Sequence, residues 1–150
     1  MPVFSTQFIV RAPLQAVADF HSDTRALKRL SPPPLIVHFH RLDPLAENSV
    51  AEFTLSFGPF PVRWIALHSQ VDPLHGFTDT QTRGPLRSWV HTHRFEAVDE
   101  ATTRVREHIQ FQYTPGLRGL LTRFIYAPVM LRFLFAYRAA VTRRALEKPF

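Results

Sequence analysis

Six consecutive segments between residues 35 and 113 alternate polar and apolar residues, and most of them end at a turn signal. They are Leu35–Leu42, Ser49–Phe57, Val62–Val71, Phe77–Arg83, Arg87–Val98 and Thr103–Tyr113. Turn pairs such as Asp43-Pro44, Gly58-Pro59 and Gly84-Pro85 separate them, as expected between antiparallel strands. With a further strand at Val3–Val10, the pattern predicts a meandering antiparallel sheet of about seven strands with one apolar face.

Two short helices and one long helix are predicted outside this meander. Ala12-Pro13 begins the first helix, because proline is tolerated in a first turn, and Asp23 can cap the second. After Tyr113 the apolar period becomes helical, and a long helix is predicted from Leu117 to about Leu146, kinked at Pro128. Its predicted apolar stripe consists of Met130, Phe133, Leu134, Tyr137 and Val141.

An apolar sheet face needs a cover, and the long helix is the only predicted element large enough. We therefore expect Phe133 and Tyr137 to point towards the concave face of the sheet. One helix does not fill a strongly curved sheet, so an internal cavity is predicted between the two. The length of 150 residues suits one α+β domain spanning residues 1–150.

Composition restricts the chemistry and the compartment. The chain has no cysteine, which excludes disulfides and thiolate catalysis, and its 14 phenylalanines supply rings that can line an apolar pocket. The N-terminus lacks a charged segment followed by a long apolar run, and Phe124–Tyr137 is interrupted by Pro128 and Arg132. No signal peptide or membrane span is predicted, and a cytoplasmic location is expected.

The net charge of +6 is concentrated at one end of the chain. Residues 1–115 carry 11 basic and 11 acidic side chains, whereas the segment 116–150 has Glu147 as its one acid. Its basic residues are Arg118, Arg123, Arg132, Arg138, Arg143, Arg144 and Lys148. At helical spacing they scatter around the axis, which favours a solvated helix face over an anionic membrane or ligand surface. The neutral remainder of the chain argues against nucleic-acid binding.

Two motifs resemble those of a known superfamily. The first is Phe8-Ile9-Val10-Arg11-Ala12-Pro13 followed by Val17 and Phe20, and the second is Phe77-x-Asp79-x-Gln81-x-Arg83-Gly84-Pro85-Leu86-Arg87-x-Trp89-x-His91-x-His93-x-Phe95. With the element order, they resemble the SRPBCC and START superfamily, in particular bacterial members described as ligand-binding or cyclase/dehydrase-like. The resemblance covers essentially the whole chain and implies the helix-grip fold. Since this superfamily carries lipids, sterols, hormones and polyketides, the fold does not name a ligand.

The second motif also contains the candidate site. Strand periodicity places Trp89, His91, His93 and Phe95 on one face, and the hairpin registers set Asp79 opposite His91 and Glu107 opposite His93. The same registers set Gln81 opposite Trp89 and Arg83 opposite Arg87, and the two arginines are expected at the cavity mouth. The predicted ligand-binding residues are Asp79, Gln81, Arg83, Trp89, His91, His93, Glu107, Ile109, Phe111 and Tyr137. The candidates for catalysis are His91, His93, Asp79 and Glu107.

Several interpretations of this polar group stay open. It can orient a ligand's carbonyl or hydroxyl groups, form a self-satisfied buried network, perform acid–base chemistry, or face solvent. Two histidines with Glu107 also suggest a metal site, but no further ligand motif supports one, so no metal or cofactor is expected. The inward side of the strand with Trp64, Ala66 and His68 is ambiguous, and His38 and His40 are doubtful candidates.

The sequence therefore predicts the binding of a hydrophobic or amphipathic small molecule in a cavity between the sheet and the C-terminal helix. One alternative is a cyclase or dehydratase that acts on a polyketide-like substrate by histidine–carboxylate chemistry. Another is a lipid carrier that docks on membranes through its basic C-terminal helix. The oligomeric state is not predicted.

Overall fold

The structure is a computed structural model that describes residues 2–147. Its seven strands closely match the predicted segments. They are β1 (Val3–Val10), β2 (Leu35–Leu42), β3 (Val50–Phe57), β4 (Phe60–Asp72), β5 (Gly76–Arg83), β6 (Ser88–Asp99) and β7 (Thr102–Gln112). Every predicted boundary agrees with the observed one within two residues, because turn residues end most of the segments.

Helices flank the sheet segments as predicted. They are α1 (Leu14–Ser22), α2 (Ala26–Arg29), α3 (Leu120–Ile125) and α4 (Pro128–Leu146), with a 3-10 turn at Leu117–Gly119. Pro13 precedes α1, and Pro128 occupies the first turn of α4, where a missing N–H costs no hydrogen bond. The predicted kink at Pro128 is a break between α3 and α4, whose axes differ by 44°.

All seven strands pair antiparallel in one sheet with the order β1-β7-β6-β5-β4-β3-β2. Strands β2 to β7 form the predicted meander, and β1 returns to pair with β7 along its whole length, from Val3 with Gln110 to Val10 with Thr103. The sheet is curved, and α4 lies against its concave side, where the ring of Phe135 is 5.5 Å from those of Phe4 and His91. The predicted α+β architecture is confirmed.

The helix face that meets the sheet differs from the predicted one. Leu131, Phe135, Ala139 and Thr142 are the buried residues of α4, whereas Phe133 is 60% exposed and Tyr137 is only half-buried. The expectation that Phe133 and Tyr137 point towards the concave face is therefore wrong for Tyr137, while Phe133 lies only at the edge of the space beneath that face. The first half of α4 carries apolar residues on nearly every side, so the sequence pattern is compatible with two buried faces. The observed one has the small residues Ala139 and Thr142 in the second half of the helix, where the predicted one has Tyr137 and Val141.

The basic C-terminal segment is divided among different surroundings. Arg143 donates from Nε to the carbonyl of Ile9 in β1, at 3.0 Å, while Arg138 reaches into the interior. Arg118, Arg123 and Arg132 are exposed, and Lys148 lies outside the described residues. Within residues 2–147 no single helix has the length and hydropathy of a membrane span, although α4 and the segment Leu117–Ile125 reach that threshold when taken together across their bend.

Candidate ligand-binding cavity

A cavity of about 410 Å³ lies between the concave face of the sheet, α4 and the segment that joins α1 to β2. Ligand sites of small molecules are roughly 300–1,000 Å³, so the cavity falls within that range. Five exposed residues are among those that line it: Asp23, Pro33, Pro34, Met130 and Phe133. The cavity therefore opens between the proline turn before β2 and the first turns of α4.

Aromatic rings form the apolar wall. Trp64 on β4 and Trp89 on β6 meet edge to face with ring centres 5.6 Å apart, and Tyr126 lies 5.7 Å from Trp89. Phe53 on β3 stacks on Trp64 at 6.2 Å. These residues come from three strands and the α3–α4 break. The strand face of Trp64, which was ambiguous from sequence, points inward, because Trp64, Ala66 and His68 are all buried at the cavity.

The two predicted strand registers occur, and they bring four ionisable side chains together. Asp79 is opposite His91 across β5 and β6, and His93 is opposite Glu107 across β6 and β7. The closest contacts, however, are diagonal: Nε2 of His91 is 2.6 Å from Oε2 of Glu107, and Nε2 of His93 is 2.8 Å from Oδ2 of Asp79. The rings lean along β6 and stack on each other at 3.9 Å, so each reaches the carboxylate beside its neighbour.

His93 also approaches the second carboxylate. Its Nδ1 lies 2.9 Å from Oε2 of Glu107 but out of line for a hydrogen bond, so this contact acts mainly through charge. On the other side of β6, Gly76 lets β5 come close to the backbone of His93, because it has φ of +128° and a Cβ there would overlap the carbonyl oxygen of His93. The glycine thus sets the distance between β5 and β6 beside the cluster.

The cluster holds the two imidazoles in different protonation states. Burial lowers the pKa of His93, but the negative charge of Glu107 and the bond to Asp79 outweigh it and raise that pKa to about 9. Burial and the charge on His93 lower the pKa of His91. Burial would raise the pKa of both carboxyls, yet the histidines hold that of Glu107 well below its usual value and lower that of Asp79. At neutral pH the cluster is a neutral imidazole beside an imidazolium and two carboxylates.

Further polar residues that were not predicted as site residues also line the cavity, among them His21, His68 and Arg138. His21 on α1 donates from Nδ1 to the carbonyl of Val17 at 2.8 Å, and burial lowers its pKa to about 4. His68 contacts Ser49 Oγ at 3.0 Å, and burial lowers its pKa. Arg138 on α4 donates from Nε to the carbonyl of Leu30 at 3.3 Å. Within residues 2–147 the terminal nitrogens of Arg138 have no hydrogen-bond partner.

No family model and no curated protein matches the sequence. Solved structures match over nearly the whole chain. A Chromobacterium violaceum protein aligns with a TM-score of 0.78 at 12% identity, covering 99% of this chain and 100% of its own. The Zhui aromatase/cyclase from a Streptomyces species aligns with a TM-score of 0.69 at 16% identity, covering 97% and 96%. Norcoclaurine synthase from Thalictrum flavum, in complex with dopamine and hydroxybenzaldehyde, gives 0.66 at 14%, covering 96% and 85%.

The chain has the helix-grip fold. The resemblance predicted from the two motifs is thereby confirmed at the level of fold. At 12% to 16% identity these structures share the architecture of this chain and carry no assignment of its ligand or reaction.

The helix-grip cavity includes only part of the predicted set. Asp79, Trp89, His91 and His93 line it. Glu107 is buried behind the imidazoles, while Ile109 and Phe111 pack in the core next to it. Their ligand-binding role stays a prediction, but for these three it would have to be indirect.

The remaining predicted residues lie elsewhere. Strands β5 and β6 stop pairing at Thr80 and Val90, so Gln81 does not reach Trp89; its amide instead bonds the carbonyl of Leu86 at 2.7 Å and closes the turn. Arg83 and Arg87 are exposed and do not line the cavity, because they follow the end of the β5–β6 pairing, where their charges stay in solvent. Tyr137 is outside the lining as well, on the half-buried side of α4.

A metal ion could be held by a slightly different trio from the one considered in the sequence. Ligand atoms of Asp79, His91 and His93 all lie within 4.8 Å of one another. Nε2 of His91 already lies 2.6 Å from Oε2 of Glu107, and Nε2 of His93 lies 2.8 Å from Oδ2 of Asp79, so these nitrogens are engaged in hydrogen bonds. The arrangement therefore suits hydrogen bonding better than metal ligation.

Proposed function

We propose that this helix-grip protein binds a small amphipathic molecule inside the cavity. The observation that carries the proposal is the division of the cavity wall into two parts. Trp64, Trp89 and Tyr126 offer apolar surface, and Asp79, His93 and Arg138 offer charged and hydrogen-bonding groups. A molecule with an apolar body and a polar end would satisfy both parts at once.

Arg138 favours an anionic or strongly hydrogen-bond-accepting polar end. Its terminal nitrogens have no hydrogen-bond partner within residues 2–147, while its guanidinium carbon lies 5.2 Å from the ring centre of Phe135. The carboxylates of Asp79 and Glu107 are engaged with the two imidazoles and form no hydrogen bond with the guanidinium. Burial costs a guanidinium its hydration, and a ligand acceptor would restore the missing hydrogen bonds.

A cytoplasmic location remains a prediction from the sequence.

The tryptophans provide a direct test, because the chain has only two and both line the cavity. We expect 8-anilino-1-naphthalenesulfonate to bind with one-to-one stoichiometry and to accept energy from tryptophan fluorescence. Ala66→Phe should abolish this signal, since Ala66 is 5% exposed on the cavity wall and a phenyl ring there fills the space. Ala140→Phe, on the exposed face of α4, is the matched control.

The two variants separate cavity binding from surface binding. Both should retain the circular dichroism spectrum of the parent protein. Equal energy transfer in Ala66→Phe and the parent would place the probe outside the cavity and would refute the proposal. Independently of this test, native mass spectrometry of protein purified from its own host would identify any co-purified ligand.

Acid–base catalysis is a second candidate, favoured by the opposite pKa shifts of two stacked imidazoles. His93 has its pKa raised to about 9 and can donate a proton, whereas burial lowers the pKa of His91, which stays a neutral base. Such a pair divides acid and base roles within one site. In this case His91 would take a proton from an acidic carbon of a β-dicarbonyl compound, and His93 would donate one to its oxygen.

Deuterium exchange distinguishes an enzyme from a binder. The carbon between the carbonyls of 1-phenyl-1,3-butanedione should exchange faster in D₂O with the protein than without it, and His91→Gln should remove the acceleration. A binder without catalysis would bind the diketone, would give no acceleration, and would show only altered affinity in His91→Gln.

A further inference from the structure

The segment around α3 exposes an unusual row of large apolar side chains. Leu117, Leu120, Leu121 and Phe124 are 86%, 59%, 59% and 70% exposed. Their spacing of i, i+3, i+4 and i+7 places them on one side of the helical segment. On the other side, Gly119, Thr122 and Tyr126 are buried against the protein. The apolar stripe of this short helix therefore faces away from the core, the reverse of an ordinary surface helix.

Exposed apolar residues continue beyond the break, at the start of α4. Val129 and Phe133 are 66% and 60% exposed, and Met130 is 39% exposed. We call these seven residues, Leu117, Leu120, Leu121, Phe124, Val129, Met130 and Phe133, the apolar face. They fall within a stretch of 17 residues on both sides of a 44° bend. A concentration of this kind marks an interaction surface, whereas single exposed apolar residues are normal.

The charge of the same stretch restricts the partner. Arg118, Arg123 and Arg132 are exposed among the apolar residues. The sequence contains no Asp or Glu between Glu107 and Glu147. An apolar surface set among arginines and lacking acids is complementary to an anionic bilayer, where side chains enter the acyl region and guanidinium groups meet phosphates.

A second copy of the chain fits this face less well. In a symmetric dimer the same patch occurs on both subunits, so arginines would approach arginines, and the segment between Glu107 and Glu147 has no acid to compensate them. We propose that the apolar face docks this protein on the surface of an anionic lipid membrane, with the leucines and phenylalanines inserted at the interface. The helices lie on the bilayer in this arrangement and do not cross it.

Docking through this face would also place the cavity next to the lipid. Met130 and Phe133 belong to the apolar face and line the opening of the cavity. An amphipathic occupant could then pass between bilayer and cavity without crossing bulk water. This consequence rests on the proposed function, whereas the docking itself does not.

Vesicle flotation tests the docking. We expect the protein to float with vesicles of 70% phosphatidylcholine and 30% phosphatidylglycerol, and much less with pure phosphatidylcholine, by about tenfold in partition coefficient. Leu121→Ser/Phe124→Ser should lower partitioning by about tenfold or more, because two apolar side chains no longer insert. Arg118→Gln/Arg123→Gln should remove the preference for the anionic lipid. Added salt should weaken the arginine-dependent part.

Ile36→Ser/Phe60→Ser is the matched control, since these apolar residues are 66% and 65% exposed but lie on β2 and β4. It should partition like the parent protein. Equal losses in Leu121→Ser/Phe124→Ser and in Ile36→Ser/Phe60→Ser, or equal partitioning to both vesicle types, would overturn the proposal. So would a concentration-dependent dimer in sedimentation that Leu121→Ser/Phe124→Ser abolishes. Anilinonaphthalenesulfonate binding in the cavity should survive this variant, so a failure of docking is distinguishable from a failure of ligand binding.

Discussion

Nε2 of His93 lies 2.8 Å from Oδ2 of Asp79, at the centre of a polar wall inside an otherwise apolar cavity. The imidazole of His91 stacks against the same ring at 3.9 Å, and Glu107 lies behind both. Each imidazole thus has a carboxylate at hydrogen-bonding distance. The geometry pairs the buried charges, and Asp79, His91 and His93 are all part of the cavity wall.

The titration of His93 follows from this arrangement. Its pKa is raised to about 9 from 6.5, because the charges of Glu107 and Asp79 outweigh burial. A raised pKa in the folded state means that the stabilisation is fully present below about pH 6.5 and is lost as pH rises through about 9. Two-dimensional NMR of the histidine rings should show one imidazole that titrates near pH 9.

His93→Gln provides the control for this pH dependence. The free energy of unfolding of the parent protein should fall between pH 7 and pH 9.5. The loss should be about 1.4 kcal/mol for each pH unit by which the pKa of His93 is higher in the folded than in the unfolded protein. The same pH range should leave the stability of His93→Gln nearly constant. An unperturbed titration near pH 6.5 for all imidazoles would contradict the cluster described above.

The removal of the Glu107 charge should be costly. Glu107→Gln keeps an amide oxygen that can accept from His91 Nε2, but leaves the charge of His93 with Asp79 as its one close carboxylate. Breaking a buried charge pair typically costs about 3–5 kcal/mol. We expect a loss in that range by urea unfolding at pH 7, together with a lower His93 pKa.

A surface pair supplies the matched control for that variant. Glu52 pairs with Arg63 across β3 and β4, and the arginine is 46% exposed. Glu52→Gln should change the free energy of unfolding by less than about 1 kcal/mol, because water screens exposed pairs. Similar losses in Glu107→Gln and Glu52→Gln would show that the Glu107 charge contributes little.

The two phenylalanines of α4 should differ sharply in their contribution to stability. Phe135 is 4% exposed and contacts Phe4 and His91, whereas Phe133 is 60% exposed. Truncation of a buried Phe costs about 3–5 kcal/mol, so Phe135→Ala should fall in this range. Phe133→Ala should cost less than about 1 kcal/mol. Urea unfolding of both variants measures this difference. A larger loss for Phe133→Ala than for Phe135→Ala would mean that Phe133 is the buried residue, as the sequence pattern had predicted.

The sequence predicted the strand registers correctly and the side-chain partners only in part. Loop lengths and the period of two suffice to place Asp79 opposite His91 and His93 opposite Glu107. They do not specify how rings lean along a strand, and this lean exchanges the carboxylate partners. Gln81 shows a similar limit, because the pattern did not reveal that its amide would close the turn at Leu86.

The helix was harder to predict from its pattern. Met130, Leu131, Phe133, Leu134 and Phe135 leave few polar positions in the first turns of α4, so periodicity alone supports either face. Arg138 was assigned to solvent with the other basic residues, since a cation on a helix is usually solvated. No local signal marks a cation that a cavity will surround. Its role depends on the tertiary packing of α4 against the sheet and Leu30.

Arg138 gives the last prediction, which concerns the polar end of the ligand. Its terminal nitrogens have no partner within residues 2–147, and it lines the cavity beside Tyr126 and Leu30. A hydrogen bond to a charged group is worth about 1.5–3 kcal/mol, which corresponds to about 10- to 100-fold in affinity. Arg138→Met keeps the length of the side chain and removes the charge. It should weaken anilinonaphthalenesulfonate binding by that factor.

N-phenyl-1-naphthylamine, which lacks the sulfonate, should bind Arg138→Met at least as tightly as the parent. Arg143→Met, on the exposed side of the same helix, should bind both probes like the parent. Equal losses for the two probes in Arg138→Met would mean that the arginine shapes the cavity and does not recognise an anion.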